Sequence, residues 1–219
     1  MRLKETITIM ALMGFTLTPV LAEAAVVNPS ASNSAKKSDV AGTPQATINA
    51  LDGALRKSME GGSKIGYSGR YAIVSPVVRQ AYDFERIASL TLGNYWSKLN
   101  ADQQKEFVNV LADFTASTYA ARFDDYQGEH FAIASSETLQ PGTEGVFSTL
   151  TMHNGKVHRF DYLLQKKGGQ WKIVNVVADG VSDLSLKRAE YTETMKSKGF
   201  PALVAHLKRQ IAAYAKGTN

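Results

Sequence analysis

His153 and His158 are the side chains best placed to form a metal site. The 219-residue chain contains no cysteine, so thiolate ligands are excluded. These two histidines flank an Asn154-Gly155 pair, which is a strong signal for a two-residue hairpin turn. Such a turn pairs residue 153 with 156 and residue 151 with 158, so both imidazoles would lie on one face of the hairpin. No third ligand lies beside them in this arrangement, and we expect two exposed polar side chains instead of a metal centre.

Carboxylates offer a second kind of chemistry, proton transfer. Asp124 and Asp125 follow a predicted helix end and point in different directions. Asp161 lies in the middle of a predicted strand, where a buried carboxyl could act as an acid or base; the alternative is an outward-facing residue opposite a cation. Phosphate-binding glycine loops and the G-x-S-x-G and H-E-x-x-H motifs are absent from the sequence. We therefore predict neither an enzyme nor a cofactor.

The charge pattern argues against a nucleic-acid partner. The chain has 25 Lys and Arg against 20 Asp and Glu, a formal charge of +5. The basic doublets Lys36-Lys37, Lys166-Lys167, Lys187-Arg188 and Lys208-Arg209 are scattered and do not form one stripe with interleaved aromatics. An anionic membrane surface or an acidic protein would suit them better than a nucleic acid, and an ordinary solvated surface is the default interpretation.

The N-terminal segment has the layout of a secretory signal peptide. Arg2 and Lys4 precede an apolar run over residues 7–21, and Ala22-Glu23-Ala24 provides an A-x-A cleavage site. The run is shorter than the roughly 20 residues that a spanning helix needs. We predict a signal peptide over residues 1–24, a flexible leader over 25–43 and a single domain over 44–216. Without a cysteine for lipid attachment, the mature protein should be soluble and, in a bacterium, periplasmic.

The first half of that domain has helical periodicity. Thr43-Pro44 predicts the start of a helix that ends near Gly61-Gly62. A second helix is expected over residues 68–82, kinked or split at Pro76. A short helix capped by Asp83 ends at Gly93, and a long one follows over residues 101–123.

The second half changes to strand periodicity. Runs over 130–139, 145–153, 156–166 and 170–178 are separated by short turn signals and predict an antiparallel meander. Helical periodicity returns over 185–198 and 201–215. The predicted fold is α+β, with a curved antiparallel sheet of four or slightly more strands packed against several helices.

Residues 82–131 are rich in large aromatic side chains. A filled core and a cavity between helices and sheet would use the same residues, and composition alone does not separate the two.

Three segments carry a resemblance to a known family. They are Tyr-Asp-Phe-Glu-Arg-Ile-Ala-Ser-Leu-Thr-Leu-Gly-Asn-Tyr-Trp (82–96), Gly-Gly-Gln-Trp-Lys-Ile-Val-Asn-Val-Val-Ala-Asp-Gly-Val-Ser (168–182) and Lys-Gly-Phe-Pro-Ala-Leu (198–203). Together they resemble the MlaC/toluene-tolerance family of periplasmic phospholipid-binding proteins, and the similarity covers nearly all of residues 46–211. The segment Asp183–Tyr191 departs from the general pattern and is similar to the hopanoid-associated HpnM branch.

This resemblance implies a lipid carrier. Members hold acyl chains in a deep apolar pocket and shuttle lipid between inner- and outer-membrane complexes. The implied cargo is a phospholipid or a hopanoid-type lipid. The implied partners are an inner-membrane transporter, of the MCE/ABC or the hopanoid RND type, and an outer-membrane lipoprotein. We expect a monomer. The alternatives to a lipid carrier are a non-catalytic adaptor of a transport complex and, less favoured, a proton-transfer enzyme.

Twelve apolar residues are predicted to line the pocket, and for each of them ordinary core packing is the alternative. Trp96, Tyr119 and Val181 lie in matched motif segments, and the others follow from periodicity. The predicted residues are Ile87, Leu92, Trp96, Phe107, Leu111, Phe114 and Tyr119 from the helices, Leu150, Tyr162, Val176 and Val181 from the sheet and its end, and Leu203 from the last helix.

Overall fold

The computed structural model describes residues 42–217, so the predicted signal peptide over 1–24 and most of the predicted leader over 25–43 lie outside the described residues. Within residues 42–217 the chain has an all-helical first part, a sheet and a final helix. The elements are α1 (Pro44–Ala81), α2 (Phe84–Leu92), a 3-10 helix (Gly93–Lys98), α3 (Ala101–Arg122), β1 (His130–Gln140), β2 (Thr143–Thr151), β3 (Val157–Lys167), β4 (Gln170–Ala178), β5 (Val181–Ser182) and α4 (Asp183–Lys216).

Helix α1 consists of two helical segments that meet at glycines. It begins at the N-cap Thr43, whose hydroxyl accepts a hydrogen bond from the Ala46 N–H at 3.1 Å. Gly62 and Gly66 have φ values of 51° and 60°, a conformation that side chains with a Cβ rarely adopt. The predicted break near Gly62 is therefore confirmed. A split at Pro76 does not occur, because the helix continues through that residue to Ala81.

The predicted caps of the next two helices are confirmed. The Asp83 carboxylate accepts from the Arg86 N–H at 3.1 Å at the start of α2. At the start of α3 the Asn100 side chain accepts from the Gln103 N–H, and the Gln103 side chain accepts from the Asn100 N–H, which completes a capping box.

Removing this capping box should cost measurable stability. In Asn100→Ala the Gln103 N–H loses its partner at the helix end, and we expect the free energy of unfolding to fall by about 1 kcal/mol in urea titrations. Asn109→Ala is the matched control, since Asn109 is an exposed residue inside the same helix. An equal loss in both variants would contradict the capping role.

The sheet is an antiparallel meander in which each strand lies beside its neighbour in sequence, in the order β1-β2-β3-β4-β5. Gly168 and Gly169, with φ values of 57° and 80°, form the two-residue turn between β3 and β4. The α+β class and the four predicted strands are confirmed. The fifth strand, Val181–Ser182, is an addition that periodicity over two residues could not reveal.

The predicted register of the β2–β3 hairpin is wrong by one residue. The Met152 N–H donates to the Lys156 carbonyl at 2.8 Å, so the loop has three residues, with Gly155 at φ 82°. His158 therefore pairs with Leu150. A one-residue shift moves a side chain to the other face of the sheet. His158 is accordingly buried and His153 exposed, so the two histidines do not share one surface.

Helix α1 is anchored to β4 and covers one face of the sheet. The Thr47 hydroxyl donates to the Trp171 carbonyl at 3.0 Å, and the Asp83 N–H donates to the Ile173 carbonyl at 3.0 Å. Helix α3 packs on α1 and on α4, and α4 also packs on α2. The buried apolar side chains of all these elements form one continuous core.

Helix α4 is also interrupted once. Gly199 has a φ of 78° immediately before Phe200-Pro201, which separates the two helices that the sequence predicts over 185–198 and 201–215. Among the helices of residues 42–217, none has a stretch long and apolar enough to cross a bilayer.

Candidate functional site

The inner face of the sheet is built from alternate residues of β2, β3 and β4. Val146, Tyr162 and Val176 lie opposite one another in the strand register and form one row across the sheet. All three are buried, and the Phe160 ring stacks against Tyr162 along the strand at 6.3 Å between centroids. This row presents an apolar surface with a single hydroxyl toward the helices.

Two tyrosines from the helical part face this row. The hydroxyls of Tyr82, at the C-cap of α1, and Tyr119, in α3, form a hydrogen bond at 2.5 Å. Burial raises the pKa of both hydroxyls above the ordinary value of 10, and it does the same at Tyr162. These three side chains, together with Asp52 described next, are called the tyrosine–aspartate cluster below.

Asp52 is a carboxyl on the apolar face of α1. Ile48, Leu51, Leu55 and Met59 surround it at helical spacing and are at most 2% exposed, and Asp52 itself is 7% exposed. Burial raises the pKa of its carboxyl from 3.8 to about 7. Burial is the main cause of the raised pKa values of Tyr119 and Tyr162, followed by the Asp183 charge at Tyr119 and by the Tyr119 hydroxyl at Tyr162. The Asp52 charge also raises both pKa values, so Asp52 lies within electrostatic reach of the two hydroxyls.

Sequence reasoning missed Asp52. The available signal was its spacing, four residues after Ile48 and three before Leu55, which puts a carboxyl where the helical period calls for an apolar residue.

The lining residues predicted in α3, Phe107, Leu111, Phe114 and Tyr119, follow one helical period and form a predicted stripe, which the structure divides between two neighbours. Tyr119 meets Tyr82 near the sheet. Phe107, in contrast, makes edge contacts with Tyr191 and Phe200 of α4, at 5.9 and 6.4 Å between ring centroids. Phe114 likewise lies 6.1 Å from Tyr214 of α4. Much of the stripe thus joins two helices to each other and does not face the sheet.

Burial separates one predicted lining residue from the rest. Val181 is 44% exposed because β5 is a two-residue edge strand, so its placement in the interior is wrong. Trp96 and Tyr119 are partly buried. The remaining nine are buried: Ile87, Leu92, Phe107, Leu111, Phe114, Leu150, Tyr162, Val176 and Leu203.

Asp161 does not point into the interior, and His158 is paired with a carboxylate. His158 Nδ1 lies 2.6 Å from the Asp179 carboxylate, which also accepts from the Arg159 N–H at 2.8 Å. Asp161 alternates with the inward Tyr162 and so points to the outer face. Within residues 42–217 no three histidine or carboxylate side chains are grouped as metal ligands would be.

The basic doublets do not form a stripe in the described part of the chain. Lys167 lies 2.9 Å from Asp83, and Lys208 lies 2.7 Å from Glu106. Lys187 is buried beside Asp183, one turn earlier in α4. Local carboxylates therefore neutralise one lysine of each of these three doublets.

The comparison with known families is decisive for residues 49–209, which match the family model described as "MlaC protein". This chain belongs to the MlaC family. The match includes Asp52, the three tyrosines and every predicted lining residue. The narrower HpnM assignment remains a prediction.

Two curated relatives and one solved structure are similar to this MlaC-family chain. Toluene tolerance protein ttg2D of Pseudomonas putida is 24% identical over 134 residues, covering 61% of this chain and 60% of that protein. The intermembrane phospholipid transport system binding protein MlaC of Haemophilus influenzae is 22% identical over 131 residues, covering 58% of this chain and 61% of that protein. The alignments thus span about three fifths of these relatives' lengths.

The solved structure shares the fold. It is a phospholipid-binding protein from Ralstonia solanacearum in complex with a phospholipid, 21% identical, with a TM-score of 0.68 over 78% of this chain and 98% of that one.

Proposed function

We propose that this MlaC-family protein is a periplasmic lipid carrier that encloses the acyl chains of a phospholipid between its helices and the inner face of its sheet. The observation that carries the proposal is the family match over residues 49–209. A similar fold in a protein solved with a phospholipid supports it. The apolar row Val146–Tyr162–Val176 supplies a surface of the required chemistry.

The physical requirement is burial of hydrocarbon. Each CH₂ group left in water costs about 0.8 kcal/mol, so a soluble carrier must enclose nearly the whole chain. Such burial is non-directional, which fits an interior in which apolar side chains predominate. Helices that part from the sheet would admit the chains without any covalent step, and the glycine breaks in α1 and α4 supply points where the helices can bend.

The finer parts of the proposal concern export, cargo and partners. A signal peptide over residues 1–24 would deliver the protein to the periplasm. The Asp183–Tyr191 segment favours a hopanoid-type lipid as an alternative cargo. An inner-membrane transporter and an outer-membrane lipoprotein would donate and accept the lipid. The monomeric state and the eleven predicted pocket-lining residues other than Val181 are also part of this proposal.

Native mass spectrometry of the protein purified from its own host tests the carrier function. We expect an adduct with the mass of one lipid, which is released on mild activation. A folded protein that carries no lipid-sized adduct would contradict the proposal.

A pair of neighbouring substitutions in β4 tests the proposed location. Val176 faces the helices, whereas Val177 points outward opposite Asp161. Val176→Lys places an ammonium group against the acyl chains, and we expect the lipid-bound fraction to fall at least about tenfold. Val177→Lys is the matched control and should keep its lipid. Equal occupancy in two folded variants would contradict an inner-face site.

The proton-transfer alternative rests on Asp52, because it is an interior carboxyl with a pKa of about 7 whose charge also acts on the Tyr119 and Tyr162 hydroxyls. A non-catalytic adaptor is the other alternative. Absence of lipid from the native protein would favour one of these two over the carrier.

A further inference from the structure

The Asp52 carboxyl has an oxygen without a hydrogen-bond partner. Four buried side-chain polar atoms lack a partner among residues 42–217, and they belong to Asp52, Ser117, Asp161 and Tyr191. Asp161 lies on the outer face of the sheet, and Tyr191, in α4, packs against Phe107 of α3. Asp52 is more than nine-tenths buried, and its charge acts on the inward Tyr119 and Tyr162.

An unsatisfied buried oxygen is costly. Leaving a buried polar group unpaired costs about 1–3 kcal/mol, so such groups normally find a partner in the protein, in water or in a ligand. On the apolar face of α1 an aliphatic residue would have avoided this cost altogether. A carboxyl at this position thus points to a partner that is bound when the protein is loaded.

The neighbouring tyrosines add donor capacity. The Tyr82 and Tyr119 hydroxyls carry two hydrogens between them, and their mutual hydrogen bond uses one. One hydroxyl hydrogen therefore remains to donate. The protonated form of Asp52 also donates one hydrogen. The tyrosine–aspartate cluster can in this way bind an oxygen that only accepts.

We propose that Asp52 and the Tyr82–Tyr119 pair form an internal binding site for an ester carbonyl of the lipid cargo. This inference rests on the proposed carrier function and specifies which part of the lipid the interior binds beside the hydrocarbon. The ester carbonyls are the first polar groups between an acyl chain and a headgroup, so they are the oxygens that enter with the chains. Once buried, they need donors, and the cluster provides them.

The charge of the site favours an ester over a phosphate. A phosphate would bring a negative charge against the Asp52 carboxyl in an apolar surrounding, and both would be penalised. Two Lys or Arg side chains are buried among residues 42–217: Lys187 is paired with Asp183, and Arg70 donates to the backbone carbonyls of Gly62 and Ala120. An uncharged carbonyl avoids this repulsion and still accepts hydrogen bonds.

A competition between two lipids tests the proposal. The delipidated full-length protein is offered an equimolar mixture of dipalmitoyl phosphatidylethanolamine and its dihexadecyl ether analogue, which share the headgroup and chain length but differ at the carbonyls. Native mass spectrometry then gives the ratio of the two adducts. We expect wild type to prefer the ester lipid by about tenfold, because the ether analogue has no carbonyl and leaves one buried donor unpaired.

The variants assign this preference to Asp52. Asp52→Leu should bring the ratio close to one, whereas Asp52→Asn, which still donates, should keep most of the preference. Thr91→Val is the control, because the Thr91 hydroxyl is fully buried but bonds only within α2, at 2.9 Å to the Ile87 carbonyl. Its ratio should match wild type.

Two results would overturn the internal ester site: equal binding of both lipids by wild type, or an ester preference that survives Asp52→Leu. Failure of the wild type to bind either lipid would instead overturn the carrier function itself.

Discussion

The lipid-free Asp52→Asn variant should be more stable than wild type at pH 8 by about 4 kcal/mol, while the two proteins should differ by less than about 1 kcal/mol at pH 4. The reason is the cost of an ionised carboxyl on the apolar face of α1, which holds its pKa at about 7 instead of 3.8. Asparagine has nearly the same size but carries no charge at any pH.

The direction follows from proton binding. Because the folded-state pKa is the higher one, the folded protein keeps its proton between pH 4 and pH 7 while the unfolded chain has lost it. Wild type therefore loses stability as the pH rises from about 4 to about 7, and the loss is complete above that range. Below pH 4 both states bind the proton and the difference disappears.

Urea titrations of both proteins at several pH values measure this effect. Asp102→Asn serves as the control, since Asp102 is exposed in the first turn of α3, where its charge favours the helix. That variant should be slightly less stable than wild type at pH 8, so its change in stability has the opposite sign to that of Asp52→Asn. A pH-independent gap between Asp52→Asn and wild type would contradict the raised pKa.

Phe107→Ala should lower the free energy of unfolding by about 3–5 kcal/mol, since it leaves a cavity at a fully buried ring. Phe107 contacts both helical segments of α4, at Tyr191 before the Gly199 break and at Phe200 after it. Its loss therefore weakens both contacts at once.

The adjacent residue provides the control for this effect. Val108 is only partly buried in the same helix, and Val108→Ala should cost about 1 kcal/mol in the same urea titration. Similar losses in the two variants would show that the α3–α4 contact does not depend on the Phe107 ring.

Local features of the fold could be predicted from the sequence because a few neighbouring residues determine them. The caps at Thr43, Asp83 and Asn100 and the breaks at Gly62 and Gly199 all lie where the residue types indicate. The β2–β3 hairpin shows where such reasoning ends. Asn-Gly signals a turn there, but whether two or three residues lie in it depends on how the flanking strands pair with the rest of the sheet.

The site could be predicted only in part, because periodicity shows that a residue is buried but not which partner buries it. Phe107 and Tyr119 share one predicted stripe, yet the first meets α4 and the second meets Tyr82. Asp52 was missed for the complementary reason. A charged residue in a helical pattern is normally exposed, and only the tertiary structure shows that this one lies among apolar side chains.

The meander topology has a consequence for the order of folding. Each of the first four strands joins its neighbour across a turn of two or three residues, so closing these hairpins costs little chain entropy. The contact between Thr47 and Trp171, by contrast, spans 124 residues. Loop-closure entropy thus favours a transition state in which the hairpins are formed and α1 is not yet docked, so changes in the turns should slow refolding, whereas changes in the α1–β4 contact should mainly speed unfolding.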